Sequence, residues 1–374
     1  MNLDIRLTES ETILQTAAKN FLERDIPKDD LHALHDSATG MTDALWRKIV
    51  DMGWPAVLIP EDYGGVGYPF TSAGVLFETL GAAPLPGPLF SSAVLSSLIV
   101  LETADEEQKK RLLPDMAEGG RVVTLALTEA DYGWTPETIQ TSAEAKGGDF
   151  VLSGLKLFTP DAETATHFLV PARTGPQGVS LFLVDREAPG LAVRQLEGYM
   201  AGRVFEVKLD RVQVPAADLI GPQDQAWPGL ETAMAKASAV LSAYKVGGCR
   251  AVFDMCVEYS RVRIQFGQPI GRFQRVQDML IQMIHEADAA RWTTYEALWK
   301  LDTDRPATES IHLAKAVASE AYWQVCTLGH RAISGISYSR EHPLSLHTRT
   351  SRQLYNLLGE PAHHRREIAK ALLA

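Results

Sequence analysis

Cysteine is scarce. Three residues, Cys249, Cys256 and Cys326, in a chain of 374 are too few and too scattered for a disulfide framework. None forms a CxxC pair or stands near a histidine at metal-ligating spacing, so no metal site is read from them. They are expected to be small buried residues on helices, and an odd, low count fits a reducing compartment. No uninterrupted apolar run approaches the roughly 20 residues of a membrane-spanning helix. The opening residues 1–15 are polar and acidic, with neither an apolar signal core nor an Arg-rich amphipathic leader, so a cytoplasmic location is expected. Positive charge is short as well: 36 Lys and Arg against 47 Asp and Glu leave a net charge of −11, which disfavours a nucleic-acid binder with its basic face. The runs Lys109-Lys110-Arg111 and Arg365-Arg366 sit beside acids and read as solvated helix faces.

What is present is long enough for two or three domains, and its texture changes twice. The first third is helical. Thr8 and Glu11 make a capping-box pattern, after which Ile13, Leu14, Ala17, Ala18, Phe21 and Leu22 repeat on one face, and Pro27 is expected to stop the helix. Further helices are expected at 43–52, 71–80, 91–101 and, capped by Asp105, from there to Pro114. The glycine-rich segment 60–68 has no Walker Lys-Ser/Thr pair and no strand–helix crossover, so it reads as a turn. From about 119 to 222 the apolar runs become short and β-rich, at 122–127, 150–152, 167–170, 179–184, 191–193 and 204–209. Turn residues separate them (Gly147-Gly148, Gly175-Pro176, Pro189-Gly190). That pattern predicts an antiparallel β-barrel or sandwich, not a parallel doubly wound sheet. After Gly221-Pro222 the helical period returns. Leu230, Met234, Ala237, Leu241, Tyr244 and Gly248 share one stripe, and small residues such as Gly247 allow close helix approach. Helices are expected at 273–301 and 308–329, with a last group at 354–373. The domains are thus an N-terminal α-helical domain (1–118), a middle antiparallel β-barrel (119–222) and a C-terminal four-helix bundle (223–374).

That order, together with a series of local signatures, resembles the acyl-CoA dehydrogenase family over essentially the whole chain. The signatures are Gly53-Trp54 with Ile59-Pro60-Glu61-Asp62-Tyr63-Gly64-Gly65-Val66-Gly67, then Glu106-Glu107-Gln108-Lys109 to Leu113-Pro114, then Leu127-Thr128-Glu129. Gly154-Leu155-Lys156-Leu157-Phe158 follows. The most specific is Arg263-Ile264-Gln265-Phe266-Gly267-Gln268-Pro269-Ile270 with Phe273-Gln274. The resemblance implies an FAD-dependent α,β-desaturation of an acyl-CoA, a homotetramer or heterotetramer, and an electron-accepting flavoprotein partner. It also implies a flavin held partly by the neighbouring subunit. Arg263 would then bring its guanidinium to the FAD pyrophosphate, where bidentate hydrogen bonding favours arginine. Gln265, Phe266 and Gln274 would lie beside it, Thr128 and Phe158 would line the flavin ring, and Gly335 would belong to the C-terminal flavin-supporting loop. Without the resemblance, Arg263 reads as an exposed helix-end charge, and Thr128 and Phe158 as ordinary strand residues.

The family's base is a carboxylate, which must be poised to take the α-proton. The two positions where the family keeps it are occupied here by Leu358, before Gly359, and by Ala237, followed by Ser238. Neither accepts a proton. Glu360 is the nearest carboxylate in sequence and is a weak candidate, reading more readily as a solvated acid before Pro361; Glu231 lies about two turns before Ala237, too far by the helical rise. Trp134 stands where a small hydroxyl residue is usual, and Arg331 where a glutamine is. Trp134, Tyr132 and Met234 are expected to shape or block the acyl and CoA channels, although a large ring at a domain junction is also ordinary packing.

The expected function is an FAD-dependent acyl-CoA dehydrogenase. The alternative is a base-less subunit of a heteromeric acyl-CoA dehydrogenase that completes its partner's FAD site. A DNA-associated relative is disfavoured by the acidic balance, and a flavin monooxygenase on the same fold has no direct support.

Overall fold

The computed structural model describes residues 6–26, 28–175, 178–198 and 203–373. In chain order its helices are α1 (Glu9–Asp25), α2 (Lys28–Asp36), α3 (Asp43–Asp51), α4 (Phe70–Gly81), α5 (Ser97–Thr103), α6 (Glu106–Ala117), α7 (Ala226–Val262), α8 (Gln274–Asp302), α9 (Thr308–Ile333), α10 (Pro343–Asn356) and α11 (Pro361–Leu373). The strands are β1 (Val123–Leu125), β2 (Ser142–Lys146), β3 (Asp149–Pro160), β4 (His167–Ala172), β5 (Ser180–Asp185), β6 (Leu191–Gln195), β7 (Val204–Val214), β8 (Leu219–Ile220), β9 (Ile264–Gln265) and β10 (Gln268–Pro269). The chain groups into two compact units. One comprises Met1–His35, Pro69–Leu85 and Ser238–Ala374, the other Asp36–Tyr68 and Pro86–Ala237.

In the helical unit, α1 begins as its sequence dictates. The Thr8 hydroxyl accepts from the Glu11 amide, and the Glu11 carboxylate accepts from the Thr8 amide at 2.9 Å, so two otherwise orphaned donors are satisfied reciprocally. The expected stop at Pro27 lies outside the described residues. α4 and α7 pack backbone to backbone. A Cβ on Gly247 would fall 1.8 Å from the Glu78 carbonyl oxygen, and one on Gly81 would fall 1.9 Å from that of Tyr244. Behind this crossing, Val246, Cys249, Val252, Cys256, Met283, Ala287, Ala318, Tyr322, Val325 and Cys326 form a continuous apolar core, and all three cysteines are buried and unpaired. The region expected as a four-helix bundle holds five α-helices among its described residues after 222. The additional one, α10, starts on Pro343, whose fixed φ and missing N–H suit a first helical position, while His342 Nδ1 accepts from the Leu344 amide.

The other unit holds strands β1 to β8. The expected barrel is instead two open four-stranded sheets, ordered β1-β4-β5-β8 and β2-β3-β7-β6. All pairings in them are antiparallel except β1 with β4, which runs parallel with Val123 opposite His167. The first sheet is bounded by strands of three and two residues, too short to carry the ladder round to closure. Phe150, Leu152, Phe168, Val170, Phe182, Val184, Phe205, Val207 and Leu209 make the core, with Phe150 edge-on to Phe182 at 5.0 Å. Two helical readings change. Residues 91–101 are a π-helical segment, Leu89–Ser96, followed by α5. α6 runs through Pro114 to Ala117, because burial of Leu113, Met116 and Ala117 holds the last turn helical against the proline's missing donor. No helix among the described residues is long and apolar enough to cross a membrane.

Candidate functional site

Thr128, Tyr132, Trp134 and Phe158 belong to the sheet unit, and one buried ion pair sets the backbone that displays them. Lys156 is fully buried in β3. Its ammonium donates to Glu129 Oε1 at 2.7 Å and to the Pro171 carbonyl at 2.8 Å. Glu129 also accepts from the amides of Gln140 and Thr141 and from the Thr141 hydroxyl. Burial pushes the Lys156 pKa down to about 8 against the pull of Glu129, whereas Lys156 and the Thr141 donors hold the Glu129 carboxyl below its usual range despite its desolvation. The Leu157 amide then donates to the Thr128 carbonyl at 2.8 Å, which ties the post-β1 segment to β3.

A bulge between Lys156 and Thr159 leaves Phe158 at φ +55° and 45 % exposed. Tyr132, also left-handed at φ +49°, meets the Phe158 ring edge-on at 5.4 Å and the Trp134 ring at 6.2 Å. Non-glycine residues in this region cost of order 1–3 kcal/mol each, so the aromatic trio is held by the surrounding structure and not by local preference. The Trp134 indole N–H is buried without a hydrogen-bond partner among the described residues. Thr128 is buried, as are Met234 and Ala237 on α7, while Glu231 is exposed.

Arg263, Gln265 and Phe266 lie in the helical unit, on the β9–β10 hairpin (Gln268 opposite Gln265), with Gln274 opening α8. All four are exposed, Phe266 93 % so. Phe266 is held at φ +53° with its ring edge-on to Phe273. The Arg263 guanidinium makes no side-chain hydrogen bond or ion pair among the described residues; only its backbone is engaged, with Tyr259 and Ile270. Gln265 donates to the carbonyl of Ile264. Gly335 opens a short 3-10 turn beyond α9 with open space where a Cβ would stand, and Arg331 is exposed.

Leu358 and Glu360 flank Gly359 in the turn between α10 and α11, again in the helical unit. Leu358 is buried at φ +60°. Glu360 is tied by its carboxylate to Arg366 at 3.2 Å. Ser238, next to Ala237, is buried. Sequence reasoning singled out neither Lys156 with Glu129 as a pair nor the buried lysines Lys245 and Lys315; the signal was a lysine on the inward side of an alternating strand or on an otherwise apolar helix stripe. Among the described residues no group of three His, Cys, Asp or Glu side chains is placed to hold a metal ion.

Family models described as the N-terminal, middle and C-terminal domains of acyl-CoA dehydrogenase match residues 8–120, 124–212 and 225–373. The chain is 30% identical to acyl-CoA dehydrogenase FadE12 of Mycobacterium tuberculosis, over 80% of each chain. It is 28% identical to the probable acyl-CoA dehydrogenase YngJ of Bacillus subtilis, covering 99% of this chain and 100% of the relative. A chain in the crystal structure of the ChsE4-ChsE5 complex from Mycobacterium tuberculosis superposes with a TM-score of 0.89 at 26% identity, over 99% of both chains.

Proposed function

This chain belongs to the acyl-CoA dehydrogenase family, and from that premise we propose that it serves FAD-dependent α,β-desaturation of an acyl-CoA thioester as the base-less subunit of a heteromeric assembly. The observation that carries this reading is that both family base positions are apolar and buried: Leu358 is 4 % and Ala237 0 % exposed. Glu360, the nearest carboxylate, is left out of this reading because it pairs with Arg366. Moving it would leave an ion pair and bring a charge into an apolar setting.

The residues present fit FAD at its charged end. Arg263 offers an exposed guanidinium with no internal acceptor, the arrangement in which a diphosphate is taken bidentately. Gln265, Phe266, Gln274 and Gly335 would assist in holding it, and Thr128 and Phe158 would line the flavin ring. Bound FAD supplies the hydride acceptor. This chain's part is to hold the diphosphate and to present Tyr132, Trp134 and Met234 toward the acyl-CoA. The proton is taken by the partner's carboxylate, with an electron-accepting flavoprotein downstream. The structural similarity to a chain of a complex named for two different members supports the heteromeric assembly. Three free cysteines suit the reducing cytoplasm.

The test is to purify the chain alone and co-expressed with a family member that retains its glutamate, then add acyl-CoAs anaerobically while following the flavin band. Bleaching confined to the co-expressed assembly is expected. Bleaching by this chain alone overturns the base-less reading and makes the chain a dehydrogenase with a relocated base. In the assembly, Arg263→Ala is expected to weaken flavin retention roughly 10- to 100-fold, the worth of a charge-assisted pair of hydrogen bonds, read as flavin released on dilution.

A further inference from the structure

The turn that lacks a base is gripped from beneath by buried basic side chains. Two consecutive carbonyls are held. The Leu358 carbonyl accepts from His364 Nε2 at 2.9 Å, and the Gly359 carbonyl accepts from Lys315 Nζ at 2.8 Å. Each donor is backed by a second base. His364 Nε2 carries its proton toward Leu358, so in the neutral ring Nδ1 is the acceptor and takes a hydrogen bond from His312 Nδ1 at 2.8 Å. Lys315 Nζ also reaches Ser319 Oγ at 3.2 Å, and Lys245 Nζ, from α7, reaches the same oxygen at 2.7 Å. Lys245 and Lys315 have no exposed surface. Neither has an ion pair among the described residues.

Two ammonium ions converging on one hydroxyl in a dry helical core repel strongly and have lost their hydration. The pair therefore carries at most one proton near neutrality, and the titration belongs to the pair. Desolvation lowers both amines, Lys315 to about 7 and Lys245 well below its ordinary range, with Lys315 itself the main charge opposing protonation of Lys245. The groups facing them are Cys249 from α7, whose thiol burial keeps neutral, and Glu360 from the turn, which favours the proton on Lys315. From α11 there is His364, pushed down to about 2 by burial and by Lys315, with His363 of the same helix and His312 of α9 behind it, all neutral at physiological pH.

We propose that Lys315 and His364 are positioning residues for the Leu358–Gly359 turn, and that the one proton held by the Lys245–Lys315 pair sets how firmly the turn is fixed. With the proton on Lys315, its bond to the Gly359 carbonyl is charge-assisted and stronger; without it, the same bond is an ordinary neutral one and the turn opens more readily. Neutral Lys245 helps keep the proton on Lys315 as a hydrogen-bonding partner, so the two amines are one device. Leu358, strained at φ +60°, is the residue that such loosening releases first.

The experiment uses the full chain without flavin, acyl-CoA or partner. Selectively 13C-labelled lysine reports the titration of Lys315, and hydrogen exchange, corrected for the intrinsic pH dependence, reports opening of the turn. The expected result is a Lys315 midpoint near neutrality, with exchange at Gly359 rising about tenfold across the same midpoint, the factor for about 1.4 kcal/mol. In Lys245→Met both midpoints move down together by about one pH unit. A Lys315 midpoint near that of a free lysine, exchange at Gly359 that does not follow it, or identical midpoints in Lys245→Met overturns the proposal. Should Lys245→Met fail to fold, the wild-type lysine titration and exchange profile decide by themselves.

Discussion

Lys156 illustrates how one side chain fixes a site it does not line. Its ammonium is buried with Glu129 as its anionic partner, and the pair fastens the segments that carry Thr128 and Phe158. Glu129→Gln leaves a buried amine without its counter-charge and is expected to cost about 3–5 kcal/mol, read from denaturant unfolding of the flavin-free chain. Replacing both partners together, Glu129→Gln with Lys156→Met, is expected to recover most of that loss. If the double variant is as unstable as the single one, the pair is not what fastens the strands. The sequence showed Glu129 and Lys156 as parts of two separate motifs. Their meeting depends on the pairing of β3 with its neighbours and on the bulge at Phe158, neither of which a local window contains.

At the scale of elements, the close crossing of α4 and α7 was legible in part. The small residues along α7 announced that a neighbour comes close, but not which one. Glu78 and Tyr244 supply backbone carbonyls where Gly247 and Gly81 need to have no Cβ. Gly247→Ala is expected to force the helices apart at a cost of about 1–3 kcal/mol, in spite of alanine's better helix propensity; a thermal melt at unchanged or higher midpoint refutes the crossing. Helix starts were readable where capping chemistry is local, at Thr8 and Asp105. Helix α10 was not, because the segment after Pro343 mixes polar and apolar residues and gains its helical stability from burying Leu344, Leu346 and His347. Strand β2, largely exposed, similarly carries no apolar signal of its own and exists through its ladder with β3.

At the scale of the molecule, buried bases outweigh buried acids in the response to pH. Lys315 and Lys156 have folded-state values of about 7 and about 8 against 10.5 unfolded. The unfolded chain therefore binds more protons between those limits, and stability rises with pH across that window. His347 and His312, lowered to about 4 from 6.5 by burial, act in the same sense: stability is lost as pH falls through the window from 6.5 to 4. Asp161, raised to about 7 from 3.8 by burial and by Glu163, acts oppositely, its contribution being lost as pH rises through that range. Above neutrality this opposing change is largely complete, so the thermal midpoint is expected to rise from about pH 7 to about pH 9. Cys256 and Cys326, raised from 9.0 to about 12 by burial, turn the trend over at higher pH. A midpoint that falls between about pH 7 and 9 contradicts burial of the lysines as charged-state-disfavouring groups.

The order of helical, β-rich and helical segments follows from the sequence itself, because apolar periodicity and capping chemistry act over a few residues and survive in any fold that buries them. So does the lack of a carboxylate at positions 237 and 358, since side-chain identity needs no coordinates. Whether the strands close into a barrel depends on which edges meet, and the short β1 and β8 leave two open sheets. The contacts that bring Lys245 and Lys315 to one hydroxyl, and His364 and Lys315 to successive carbonyls, join residues from separate helices. Only tertiary packing decides them, because the free energy of a buried charge is set by what surrounds it in space and not along the chain.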